Sequence, residues 1–347
     1  MKYVVFIWAF FALALVPLRA QNGYHLKAGK DYETIRFKFI NNLIILPIEV
    51  NGVELSFILD TGVSKPILFN LTGEDAPELY NYEEIELKGL GDGQPVKAIR
   101  SRGNTFRMDD LFNTNQELYM ITDSNINFSP RLGFPVHGII GYDLLKNFIV
   151  EVKYNRKKIR FHDPESYTYK RCGKCETYRL DIVGNKPFMN ARVAFGENET
   201  RPVYLLVDSG STDAVWLFED EDQGIEVPEK HFDDYMGRGL SGDVYGKRSK
   251  LKSFNIGNFE LEDAKVAFPD SSSVRNITFK GARNGSLGSE ILKRFNLIID
   301  YPYERITLAK NGNFRAPFHY NMSGIELEHN GFRVVAESSA ADLGSIF

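Results

Sequence analysis

Apolar residues in this chain fall in short runs cut by Gly, Asn and Asp, a pattern of strands far more than of helices. Leu43-Ile44-Ile45-Leu46-Pro47-Ile48-Glu49-Val50, then Asn51-Gly52, then Val53 to Leu59 predict a β-hairpin that runs directly into Asp60. Phe188 to Phe195 and Val203 to Val207 predict a second hairpin, with a longer loop, that runs into Asp208. Helical pattern is scarce: Asp143 to Phe148 and Glu290 to Phe295 each allow one short helix, followed by strands at Ile149 to Val152 and Leu297 to Asp300. The expected fold class is therefore all-β, with barrel or sandwich lobes.

The two hairpins belong to a longer repeat. Phe57-Ile58-Leu59-Asp60-Thr61-Gly62 returns as Leu205-Leu206-Val207-Asp208-Ser209-Gly210, an offset of 148. Downstream, Gly141/Gly288, Leu145/Leu292, Lys146/Lys293, Phe148/Phe295, Tyr154/Tyr301 and Ile159/Ile306 all keep an offset of 147. One offset held over so many positions marks a duplication into two pseudo-equivalent lobes. The expected boundaries are 31–162 for the first lobe, 163–186 for a linker and 187–316 for the second lobe.

Composition narrows the picture. A chain of 347 residues, 43% hydrophobic, is long enough for about two domains with a large core. A net charge of -4 provides no basic field, so nucleic acid is not an expected partner. Residues 1–20 read as an export signal: Lys2, an apolar run from Val4 to Val16, and Pro17-Leu18-Arg19-Ala20 before Gln21. That run is short for a membrane span, and no other segment is apolar enough, so no stable span is expected after removal of the signal. A periplasmic or extracellular location follows as an expectation.

Cys172 and Cys175 are the only cysteines and lie in the expected linker. Two readings stand: a small local disulfide, or two idle thiols. The six histidines show no ligand spacing, so neither a metal nor any other cofactor is expected. Asp143 and Asp300 read as surface or helix-start acids. Gly89-Leu90-Gly91-Asp92-Gly93 lacks the strand-to-helix setting of a dinucleotide-binding loop.

The doubled Asp-Thr/Ser-Gly turn, each copy with a later apolar-apolar-Gly element and short helix, resembles the aspartic peptidases of the pepsin and retropepsin-like class. Ile139-Ile140-Gly141-Tyr142-Asp143-Leu144-Leu145 is similar to the corresponding retropepsin segment. The resemblance covers Asp31 to about Lys310 and implies two acid-protease-like β-barrel lobes with the active site between them. It implies Asp60 and Asp208 as the catalytic pair and a peptide or protein as substrate. Thr61 and Ser209 would brace the pair across the lobes, while Gly62 and Gly210 bring backbone N–H groups to the carboxylates. Gly141 and Gly288 would let a later strand thread beside each Asp loop. Two adjacent carboxyls share a proton, so one can take a proton from water while the other polarises a carbonyl. A single chain that supplies both aspartates is expected to act as a monomer.

The resemblance also implies hairpin flaps over the cleft. Gly89, Gly91 and Gly93 occupy that place in the first half, and Gly242 and Tyr245 in the second, although plain hairpin turns would use glycine in the same way. Unlike pepsin, the first cluster carries no Tyr, and Val63 stands where pepsins have Ser or Thr. An optimum pH above that of pepsin is the expected consequence. The order of signal, two lobes and a tail looks like exported aspartyl proteases of Bacteroidetes type that continue into a PDZ domain. Residues 322–347, with Gly331-Phe332-Arg333-Val334-Val335, resemble the opening of such a domain, too short here to bury a core and read as truncated. A protein of another class, a catalytically inactive peptide-binding scaffold, would use the same cleft.

Overall fold

The computed structural model describes residues 23–69, 71, 76–91, 93–123, 126–197, 199–275 and 283–320. The expected signal 1–20 and the PDZ-like start 322–347 lie outside the described residues. The fold is all-β, with two pseudo-equivalent acid-protease-like lobes and a third sheet that both lobes share.

In the first lobe, Leu43–Val50 pairs with Val53–Leu59 around the Asn51-Gly52 turn, where both residues have positive φ as a two-residue hairpin demands. A parallel strand, Gly138–Ile140, then lies beside Val53–Leu59 in the register Gly138↔Phe57 to Ile140↔Leu59. Ile67–Leu68, Leu111–Ile121 and Val96–Met108 complete a circuit of six strands that closes back on Leu43–Val50. Closure removes the free sheet edges and turns the alternating apolar residues inward.

The second lobe makes the same circuit in interrupted strands. Lys186–Ala194, Thr200–Asp208, Gly285–Gly288, Val215–Leu217 and Lys265–Pro269 follow one another across the sheet. Gly242–Lys250 and Ser253–Ile256 together replace the single long strand of the first lobe. At the break, Leu251 N donates to Ala264 O at 2.9 Å and Asp263 N to Lys252 O at 3.3 Å, so the circuit holds without continuous strand geometry.

Six strands form the platform beneath both lobes, in the order Cys175–Arg179, Arg305–Lys310, Phe295–Asp300, Ile149–Lys153, Lys158–His162 and Tyr32–Arg36. Its centre is the antiparallel pair Ile149↔Asp300 to Val152↔Leu297, where the two halves of the repeat meet. Buried residues from both lobes and this platform form one continuous apolar cluster, including Leu46, Phe57, Val150, Leu205, Leu287 and Phe295.

Two expectations change here. The stretch 163–186 is not a plain linker, because Cys175–Arg179 forms an edge of the platform and Asp181–Val183 pairs with the start of the second lobe. Ahead of that edge strand the structure joins Cys172 to Cys175 as a disulfide. Of the two acids read as surface or helix-start, Asp143 is helix-start but not on the surface, and Asp300 is neither. Asp143 sits in the first turn of the helix Tyr142–Leu145, buried and paired with Lys65 and Lys146; Asp300 is wholly buried and accepts from Arg305 and Tyr169.

Candidate active site

Each aspartate leaves the end of an apolar strand and turns back through Thr61-Gly62 or Ser209-Gly210. The turns are fixed first by their own backbone: Gly62 N donates to Asp60 Oδ1 at 2.7 Å, and Gly210 N to Asp208 Oδ1 at 3.1 Å. Both aspartates are half-buried. A Cβ at Gly210 would stand 2.3 Å from Asp60 Cγ, and one at Gly62 would stand 3.8 Å from Asp208 Oδ1. The carboxyl of each lobe therefore rests on the glycine turn of the other, and at Gly210 only glycine admits it.

The hydroxyls between them lock the lobes. Thr61 N donates to Ser209 Oγ and Ser209 N to Thr61 Oγ1, each at 3.0 Å. In turn Ser209 Oγ donates to Leu59 O at 2.8 Å and Thr61 Oγ1 to Val207 O. Every donor in this buried square has an acceptor, so the turns have no freedom to slide past each other.

Behind the turns run the glycine strands. Asp60 N donates to Ile140 O at 2.8 Å and Tyr142 N to Val63 O at 2.9 Å; Gly288 N donates to Ala214 O at 2.8 Å and Ser289 N to Ser211 O at 2.9 Å. A Cβ at Gly141 would lie 2.0 Å from Asp60 O, and at Gly288 2.2 Å from Asp213 O. Only glycine lets the backbones approach this closely.

The glycines expected as flaps also come together, through two hairpin tips. Gly93 N donates to Ser241 O at 2.6 Å, Ser241 N to Leu90 O at 2.8 Å and Gly89 N to Ser241 Oγ at 3.0 Å. Gly91 N reaches Ser273 O at 3.0 Å, and Gly242 lies at the second tip opposite Gly239. Each tip crosses to the other lobe. Leu240 packs on a first-lobe cluster containing Leu43, Ile45 and Ile58, while Leu90 packs on Met236, Val244 and Ala267. Tyr245 does not join the tips: it is 54% exposed and pairs with Tyr235, ring centroids 5.3 Å apart.

Burial pushes both aspartate carboxyls above their ordinary range. For Asp60 the neighbouring Asp208 charge raises it further, to about 7, against the lowering pull of Gly62 N and Lys186. For Asp208 the counter-forces are more numerous: Arg283, Gly210 N, Lys186 and Ser211 N all favour its charged form. Neither Lys186 nor Arg283 belongs to the repeat, so the sequence pattern does not single them out. Aligning the two hairpins at their Asp ends is the one signal that would place Lys186 across from Asp208.

Among the described residues no group of three or more His, Cys, Asp or Glu could hold a metal ion, and no helix is long and apolar enough to cross a membrane. Paired carboxyls that share a proton between two braced lobes define the aspartic peptidase class. Residues 46–144 and 191–291 each match the aspartyl protease family, one match per lobe and more than half of the chain together; the chain belongs to that family. No curated protein matches the chain.

Proposed function

We propose that the protein is an aspartic endopeptidase that hydrolyses peptide bonds with water held between Asp60 and Asp208. The observation that carries this reading is the reciprocal Thr61–Ser209 brace, which holds two raised, half-buried carboxyls face to face. The ionised carboxylate takes a proton from water as the oxygen attacks the peptide carbonyl. The protonated carboxyl hydrogen-bonds to the carbonyl oxygen and stabilises the tetrahedral intermediate. Collapse breaks the C–N bond as a proton passes to the leaving nitrogen, which restores one proton to the pair. No acyl-enzyme forms, because water is the nucleophile.

The flaps act as a two-part lid over an extended peptide. Their reciprocal leucines favour the closed state, and substrate entry requires the tips to separate. A monomer suffices, since one chain holds both lobes. The apolar run from Val4 to Val16 supports export to the periplasm or beyond, and the tail supports kinship with Bacteroidetes-type enzymes that carry a PDZ domain.

Incubation with a mixed peptide library from acidic to weakly basic pH, read by mass spectrometry, tests the activity. Cleavage by wild type that falls by about 100-fold or more in Asp60→Asn and in Asp208→Asn is expected. Peptide binding without cleavage at any pH would replace this reading with the inactive scaffold.

A further inference from the structure

The repeat makes the two aspartates equivalent by chain position, yet their surroundings are not. In the first lobe the pair Ile45↔Ile58, continued two places, sets Leu43 across from Asp60; in the second, Phe188↔Leu206 continued the same way sets Lys186 across from Asp208. A second pair of matched positions lies two residues before the glycine strands. Val136 precedes Gly138 and Arg283 precedes Gly285, and these glycines pair with the equivalent Phe57 and Leu205. The first-lobe counterparts of the two cations are thus both apolar, Leu43 at 4% exposure and Val136 at 0%.

We propose that Arg283 is a positioning residue that makes Asp208 the ionised base of the dyad and leaves the shared proton on Asp60, with Lys186 a second cation that favours ionisation of the pair. This deepens the peptidase reading and rests on it. Three contacts fix the Arg283 side chain: Nε donates to Gly285 O at 3.0 Å, Nη2 donates to Ser286 Oγ at 2.7 Å, and the guanidinium lies 5.2 Å from the Phe218 ring centroid. Ser286 pairs with Leu206, which shares a sheet face with Asp208 one step along, so the guanidinium is held on the Asp208 side of the dyad. A fixed charge in a half-buried cleft is weakly screened.

The charged and polar groups facing the dyad differ between its two members, Lys186 alone acting on both. Asp60 meets the Gly62 N–H, the Asp208 charge, the Lys186 charge and the buried hydroxyl of Tyr301, which has no hydrogen-bond partner. Asp208 meets Arg283, Lys186 and two backbone N–H groups, from Gly210 and Ser211. Burial lowers Arg283, and the Asp208 charge offsets that cost; burial and the Arg283 charge lower Lys186, which Asp60 and Asp208 both support. Water activation then begins at the Asp208 carboxylate, and the carbonyl is polarised by the Asp60 proton.

The test replaces each cation by its first-lobe counterpart. In Arg283→Val and Lys186→Leu the acid limb of kcat/KM, which reports the carboxyl that ionises first, should move up by about one pH unit, and further in the double variant. Arg283→Lys and Lys186→Arg should restore the wild-type limb, which a merely structural role would not predict. An acid limb unmoved in the double variant overturns the proposal. Carbon-13 carboxyl titration of the full chain, with resonances assigned through the two Asp→Asn variants, separates the two ideas. Asp208 ionising first in a protein that cleaves nothing defeats only the peptidase reading; Asp60 ionising first in an active enzyme defeats only this one.

Discussion

Thr61 and Ser209 satisfy each other across the lobe boundary: each hydroxyl accepts the other's backbone N–H at 3.0 Å, in a site where neither residue exceeds 5% exposure. Two chain segments 148 residues apart are thereby joined at the point where chemistry is proposed.

Removal of one hydroxyl leaves partners stranded. Ser209→Ala would orphan Thr61 N and Leu59 O in a dry site, at a cost of about 2–3 kcal/mol. Ser209→Thr keeps the oxygen and should cost much less. Urea unfolding monitored by tryptophan fluorescence checks both values.

Gly141→Ala and Gly288→Ala should be severely destabilising, by about 3 kcal/mol or more, because the new methyl would meet backbone carbonyls and not movable side chains. Gly173→Ala, with nothing within 4 Å, should be neutral. Soluble yield and thermal melting of the three variants give the comparison.

Asp60 is raised in the folded state to about 7 from a reference of 3.8, so its contribution to stability is full below about pH 4 and is lost as pH rises toward 7. Activity needs one proton on the pair, and its basic limb should fall near about pH 7, giving a weakly acidic optimum. Asp60→Asn should be more stable than wild type above about pH 8, with the difference gone below about pH 4. Thermal melts over that range test the sign. Val63→Ser, which would add a hydroxyl beside the Asp60 turn, should move the basic limb to lower pH.

The two hairpin tips proposed as flaps share three backbone-anchored bonds centred on Ser241, and Gly91 has φ +113 with a would-be Cβ 2.6 Å from the Ser241 carbonyl carbon. Gly91→Ala should block closure and lower kcat/KM by about 10-fold or more, with little change in global stability. Leu240→Ala should loosen the tip, seen as faster amide exchange at Gly89 and Gly93. Equal exchange in wild type and variant would separate the leucine from lid closure.

The hairpins were legible because strand faces and Asn-Gly turns are local properties: Asn51-Gly52 adopts the positive φ its residues permit, and the strand ends fall at Asp60 and Asp208. The stretch 163–186 was not, since a polar segment with two cysteines shows nothing of the platform edge waiting for Cys175–Arg179. The setting of Tyr245 was hidden for a similar reason. Its position in a glycine-rich hairpin is local, but which face it presents depends on the pairing with Tyr235.

By itself the sequence determined the duplication, the two aspartates and the glycines that each turn requires, because one constant offset and the steric needs of a turn are written in residue order. Only the tertiary structure decided what stands beside each aspartate. Leu43 and Lys186, Val136 and Arg283 become counterparts through sheet register, and Leu90 and Leu240 exchange lobes through the meeting of two hairpin tips. Such neighbours are set by which strand edges pair across long stretches of chain, and the local alternation of apolar and polar residues carries no record of that choice.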